Sequence, residues 1–181
     1  MSHSPPRPDF ADVSQVRRRN MAAIKGRHTR TELALRRLLH GMGYRYRLHV
    51  RGLPGRPDLV FPARRKAIFI HGCFWHRHAG CPNAVLPKAR ADWWAAKLAG
   101  NTARDARHIA ALAASGWRTL VVWECELRRD AGAAAANAAA FLGPPGQVTL
   151  WERNVNPPVI SGPSNRTDPA TLTPGSRGER S

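Results

Sequence analysis

The chain has 181 residues, with 29 Lys and Arg against 12 Asp and Glu and a formal net charge of +17. That charge calls for a polyanionic partner, nucleic acid first. No apolar run approaches the roughly 20 residues that span a bilayer, and the N-terminus lacks the apolar region of a signal peptide, which excludes a membrane partner and points to the cytoplasm.

One domain is expected at this length, occupying residues 13–143 between a Pro-rich N-terminus (1–12) and a Pro/Gly/Ser-rich tail (144–181), both read as disordered. Val13 to Arg27 reads as a basic helix with a thin apolar stripe of Val16, Met21 and Ile24. Thr29 or Thr31 can cap a second helix running through Glu32, Leu35, Leu38 and Leu39 to Gly41, with Glu32 favoured in its first turn by the helix dipole. Tyr44 to Val50 alternates with period two, as a strand does. A Leu53-Pro54-Gly55-Arg56-Pro57 turn leads to a short strand, Asp58 to Phe61, and Ala67 to Ile70 forms a buried-type strand. These three strands predict an antiparallel meander. A long helical region, Ala91 to Ser115, is expected to break or recap at Gly100-Asn101. The apolar, β-branched run Trp117 to Trp123 predicts a central strand, and an alanine-rich helix from Asp130 to Phe141 closes the domain. Trp93, Trp117 and Trp123 are expected to fill the core.

The densest chemistry lies in His71-Gly72-Cys73-Phe74-Trp75-His76-Arg77-His78-Ala79-Gly80-Cys81. Cys73, His78 and Cys81 stand at C-x4-H-x2-C spacing, and the remaining cysteine is Cys125. An odd number of cysteines rules out a closed disulfide framework and leaves reduced thiols for a metal. Structural zinc takes four N or S ligands in a tetrahedron, and three thiolates with one histidine supply them. Spacing alone leaves His71 and His76 open as alternatives to His78.

Asp58 sits at the mouth of one strand and the next strand ends at Ile70-His71, so adjacent strands bring the carboxylate near the main-chain carbonyl of residue 70. Oxygen ligands of this kind suit Mg2+. A histidine beside them can take a proton from water, since its type changes charge near neutral pH.

These residues resemble the very short patch repair endonucleases, DNA mismatch nickases with a restriction-endonuclease-like α/β fold: a mixed central sheet flanked by helices, with a structural zinc site. The resemblance covers roughly residues 17–129, carried by the Leu53–Asp58 and His71–His76 runs, Asn20-Met21, Thr31-Glu32, the Trp94 helix and Trp123-Glu124-Cys125. It implies hydrolysis of the phosphodiester 5′ to the thymine of a T:G mismatch produced by deamination of 5-methylcytosine. By the same resemblance, Asp58 and the Ile70 carbonyl hold Mg2+ and His76 is the general base. His71 sits at the scissile phosphate, Glu32 orients His76 or a water on the metal, and Asp105 is a further acidic position. Cys73, His78, Cys81 and Cys125 match the zinc ligands. Phe74, Trp75 and Trp94 match an aromatic wedge, which unstacks bases most cheaply at a mismatch, while Met21 and Ile24 match positions on the N-terminal helix that meets the minor groove from the other side. The chain departs from the family pattern in carrying Ile70 where threonine can stand, and two residues rather than one between His78 and Cys81. The implied enzyme is a monomer acting on mismatched duplex DNA, in possible cooperation with mismatch-repair proteins and a DNA cytosine methyltransferase. Two other readings fit the composition: a restriction-type nuclease on the same fold, and a non-catalytic zinc-clipped DNA-binding module.

Overall fold

The computed structural model describes residues 29–146, together with the isolated positions Gln15 and Arg19. The basic helix predicted over 13–27, with Met21 and Ile24, and the tail beyond Gly146 lie outside the described residues.

Helix α1 spans Arg30–Gly41 and is started by a capping box. The Glu32 amide donates to Thr29 Oγ1 at 3.2 Å, and the Thr29 amide donates to Glu32 Oε2 at 3.3 Å. Thr29, not Thr31, is therefore the cap, because only it stands three residues before a glutamate that can reach back. Glu32, Leu35, Arg36 and Leu39 form the buried face, the spacing expected of a 3.6-residue period.

Strand β1 is only Arg47–Leu48, shorter than the alternation of 44–50 predicts. It lies at the sheet edge, bonded to β2 alone, and His49 turns left-handed at φ 45° and stops the extension. The two tyrosines ahead of it anchor the chain through their hydroxyls instead. Tyr44 donates to the Gly143 carbonyl at 2.7 Å and Tyr46 to that of Arg36 at 2.9 Å.

β2 (Leu59–Phe61), β3 (Lys66–His71) and β4 (Arg118–Trp123) follow, and the sheet order is β1-β2-β3-β4. The first three strands form the predicted antiparallel meander. β4 pairs parallel to β3, from Lys66↔Arg118 to His71↔Trp123. The result is a mixed sheet in a mixed α/β fold. Helix α2 (Ala91–Ala114) makes the crossover, and α3 (Glu124–Arg129) and α4 (Ala131–Leu142) follow β4. No helix among the described residues is long and apolar enough to cross a membrane.

Both faces of the sheet are covered. Leu59, Phe61 and Ile68 pack with Leu35, Leu39, Ala135 and Leu142, whereas Val60, Ala67 and Phe69 pack with Leu112 and Trp117 of the α2 side. Two-sided burial explains why the central strands read as continuous apolar runs rather than alternating ones.

The break expected at Gly100-Asn101 is absent, and α2 runs unbroken for 24 residues. A helical glycine costs about 1 kcal/mol relative to alanine, and a tertiary bond offsets it here. Asn101 donates through Nδ2 to the Trp75 carbonyl at 3.1 Å. Of the tryptophans expected in the core, Trp117 is buried there, while Trp93 and Trp123 are half-buried outside both clusters.

Candidate active site and thiol cluster

The parallel pairing of β3 with β4 ends at His71↔Trp123, so the residues just past each strand meet. Two residues beyond His71 is Cys73, and two beyond Trp123 is Cys125. Between them the 72–81 loop folds into tight turns, with His76 donating its amide to Gly72, His78 to Cys73 and Cys81 to His78. This winding sends His71 and His76 to one side and Cys73, His78 and Cys81 to the other.

On the first side lies a cleft of about 270 Å³, with Asp58, Ile70, His71, His76 and Asp105 in its wall. Pro57 is fully buried, so the residues before and after it in the turn face outward into this cleft. The amide of Ile70 donates to Asp58 Oδ2 at 2.7 Å. Burial pushes the Asp58 carboxyl above its ordinary value, and the Ile70 amide and the charges of Arg36 and His76 only partly oppose it. The hydrogen bond that residue 70 makes with Asp58 is thus through its N–H.

His71 is buried and stacks on His76, with ring centroids 3.8 Å apart and planes 10° from parallel. Burial, reinforced by His76 and opposed by Asp105, pulls His71 down to about 4, so it is neutral at neutral pH. His76 Nδ1 lies 2.6 Å from Asp105 Oδ2. The burial of Asp105 would raise its carboxyl, but the hydrogen bond and charge of His76, with His71 and Arg104, outweigh this and hold it below the ordinary carboxylate value. An ionised carboxylate only accepts, so Nδ1 of His76 carries the proton of this bond and Nε2 is the nitrogen turned away from Asp105.

The carboxylate that orients His76 is thus Asp105 and not Glu32. Glu32 is buried, forms an i,i+4 ion pair with Arg36, and stands 3.5 Å from His49 Nε2. Its oxygen lies within 4.8 Å of ligand atoms of both His49 and Asp58, so it borders the Asp58 side of the cleft. The helix-dipole role read from its position in α1 is joined by a buried charge partner four residues on.

On the other side, ligand atoms of Cys73, His78, Cys81 and Cys125 all lie within 4.8 Å of one another. His78 Nδ1 is 3.3 Å from Cys125 Sγ and 3.7 Å from Cys73 Sγ. His78 is therefore the histidine of this cluster; His71 and His76 face the cleft. Burial pushes the Cys73 thiol up to about 12, while the Asn83 amide draws Cys81 below its ordinary value. Three sulfurs and an imidazole crowded this closely, one of them buried, are a donor set that fits a soft or borderline cation such as zinc. Trp123 joins the two sides, stacked on His78 at 4.1 Å and edge-on to His71 at 5.5 Å.

Comparison with known proteins decides the family. Residues 9–90 match the family model described as DNA mismatch endonuclease Vsr. The chain is 54% identical over 133 residues to the type II nicking enzyme V.XorIIP of Xanthomonas oryzae pv. oryzae, spanning 73% of this chain and 96% of that protein. The chain belongs to the Vsr family of DNA mismatch endonucleases. It is 46% identical over 121 residues to the DNA mismatch endonuclease Vsr of Escherichia coli, covering 66% and 77% of the two chains. Against the type II nicking enzyme V.NaeI of Lentzea aerocolonigenes the identity is 41% over 138 residues, covering 73% and 81%.

The aromatic residues of this Vsr-family endonuclease form one group. Phe74 lies 5.1 Å from Trp75 and 5.3 Å from Trp94, edge to face, and Trp75 lies 6.1 Å from Trp94. Phe74 and Trp75 are half-buried and Trp94, in the first turn of α2, is buried. Two further histidines, His49 and His108, line the cleft without having been singled out from the sequence. No sequence signal marks them: His49 sits in an alternating run, and His108 sits on a helix whose cleft-facing side only the fold defines.

Proposed function

We propose that this chain nicks one strand of duplex DNA 5′ to the thymine of a T:G mismatch, by Mg2+-dependent hydrolysis of the phosphodiester. The observation that carries the reading is the Asp105-held His76, stacked on a neutral His71 within the cleft that also holds Asp58. Its relatives named as nicking enzymes support cleavage of a single strand.

Asp58, with the Ile70 carbonyl, would hold Mg2+. A half-buried carboxylate whose charge is disfavoured by its partial burial is relieved by a cation, and one or two carboxylates suffice for this hard ion. When bound, Mg2+ supplies charge neutralisation at the reacting phosphate. His76 takes the proton of the attacking water on Nε2, while Asp105 keeps the tautomer and stabilises the imidazolium that forms. His71, neutral, offers the phosphate a hydrogen bond without adding charge. Glu32 keeps Arg36 and His49 in place beside Asp58. Cys73, His78, Cys81 and Cys125 would hold Zn2+ and clip the catalytic loop to α3. Phe74, Trp75 and Trp94 would enter the duplex at the mismatch, with Met21 and Ile24 meeting the minor groove from the other side. The enzyme works as a monomer in the bacterial cytoplasm, on lesions left at methylated cytosines, alongside a methyltransferase and mismatch-repair proteins.

A labelled duplex with one T:G mismatch, incubated with Mg2+ or EDTA in varied flanking sequences, tests this. A Mg2+-dependent single nick 5′ to the thymine is expected. Tight binding without cleavage in every context would overturn the roles of Asp58 and His76 and favour a DNA-binding module.

A further inference from the structure

The turn that carries Asp58 also carries a cation into the same cleft. Gly55 and Arg56 are both left-handed, at φ 72° and 49°. That conformation strains a non-glycine residue such as Arg56, and strain of this kind persists where the surroundings hold it and collects at functional sites. The hold here is His108. A Cβ on Gly55 would lie 2.9 Å from His108 Nδ1 and 3.1 Å from Cγ, so the imidazole is packed against the turn backbone. His108 stands three residues after Asp105 on α2, and Arg56, Asp58, Asp105 and His108 all line the cleft.

Arg56 is exposed, and among the described residues no carboxylate or carbonyl engages its guanidinium. His108 has no hydrogen-bond partner among them either. A guanidinium and an imidazole on one lip, two and three residues from the groups that would act on the scissile phosphate, form a donor pair with no internal acceptor. Arginine presents its N–H groups in a fork matched to phosphate oxygens.

We propose that Arg56 and His108 form a phosphate clamp that grips the DNA backbone at a phosphate next to the scissile one. This rests on the DNA-nicking reading and adds to it the residues that set the strand's register against Asp58. Because the clamp reads backbone, it acts equally on mismatched and matched duplex.

The test is equilibrium binding of the full-length, zinc-loaded protein to T:G and T:A duplexes across a salt series, without added Mg2+. Arg56→Gln should reduce the slope of log affinity against log salt by about 0.9, the value for one lost phosphate contact on duplex DNA, and by the same amount on both duplexes. His108→Ala should weaken both duplexes by one common factor, and the double variant should lose less than the product of the two, as neighbours on a shared ligand do. Arg118→Gln is the control: it removes the same charge at the far end of β4, where the guanidinium lies over Phe141, and should leave the slope alone. An Arg56→Gln slope no different from the control, or a loss confined to the T:G duplex, would overturn the clamp. If no context is nicked but the slope falls as expected, the clamp stands and the T:G nicking reading does not.

Discussion

Two clusters flank Trp123, each drawing residues from the 72–81 loop, and their donors differ in kind. The thiol side gathers three sulfurs and an imidazole within 4.8 Å, with Cys73 buried and its proton held tightly. The cleft side gathers oxygen and nitrogen groups around open space, with Asp58 pushed up, Asp105 held down and His71 neutral. Soft donors closed around a point make a clip, whereas hard donors with their proton affinities pushed apart around a cavity make a reaction site. The difference shows that residue type in this loop is less informative than the side on which each residue falls.

Asp58→Asn should break the comparison most sharply. Nicking should fall to background while mismatch binding stays near normal. Without metal, the variant should also unfold a few degrees higher, because the amide still accepts from Ile70 and no charge is buried. The sign follows from linkage: a carboxyl raised in the folded state costs stability above its folded value, and that cost disappears as pH falls through it. The gap between variant and parent in thermal melts should therefore close in acid; a gap that widens there would refute the assignment.

His76→Ala should lower kcat about 10²–10⁴-fold, the usual contribution of a general base. Asp105→Asn should show a smaller loss with the same KM, since the ring remains but its tautomer is no longer held. Single-turnover rates separate the two, and equal effects on KM would assign both residues to binding instead.

Cys125→Ser sharpens the contrast from the other side. Zinc content should drop and the thermal midpoint fall by several degrees, with cleavage at low temperature largely kept. Unchanged metal stoichiometry would remove Cys125 from the ligand set. The smallest effect belongs to Trp75→Ala, which should reduce discrimination of T:G over T:A by about tenfold, within the range for loss of one aromatic–base contact. Discrimination equal to the parent's would return Trp75 to a packing role against Phe74 and Trp94.

By itself the sequence determined the meander, helices α1 and α4, and the three thiols Cys73, Cys81 and Cys125 as one donor set, and it singled out Asp58 and His76 as candidates. These are local or motif-borne features: period, capping chemistry and donor spacing act within a few residues. Tertiary structure alone decided which histidine joins the thiols, because the parallel β3–β4 register brings Cys125 to the His78 side. Packing also assigned the carboxylate on His76 to Asp105, from a helix 29 residues away, and gave Glu32 to Arg36. It kept α2 whole through Gly100, where an Asn101 bond to Trp75 outweighs propensity. Contacts between distant segments depend on register and burial, and neither is written in the spacing of one stretch of chain.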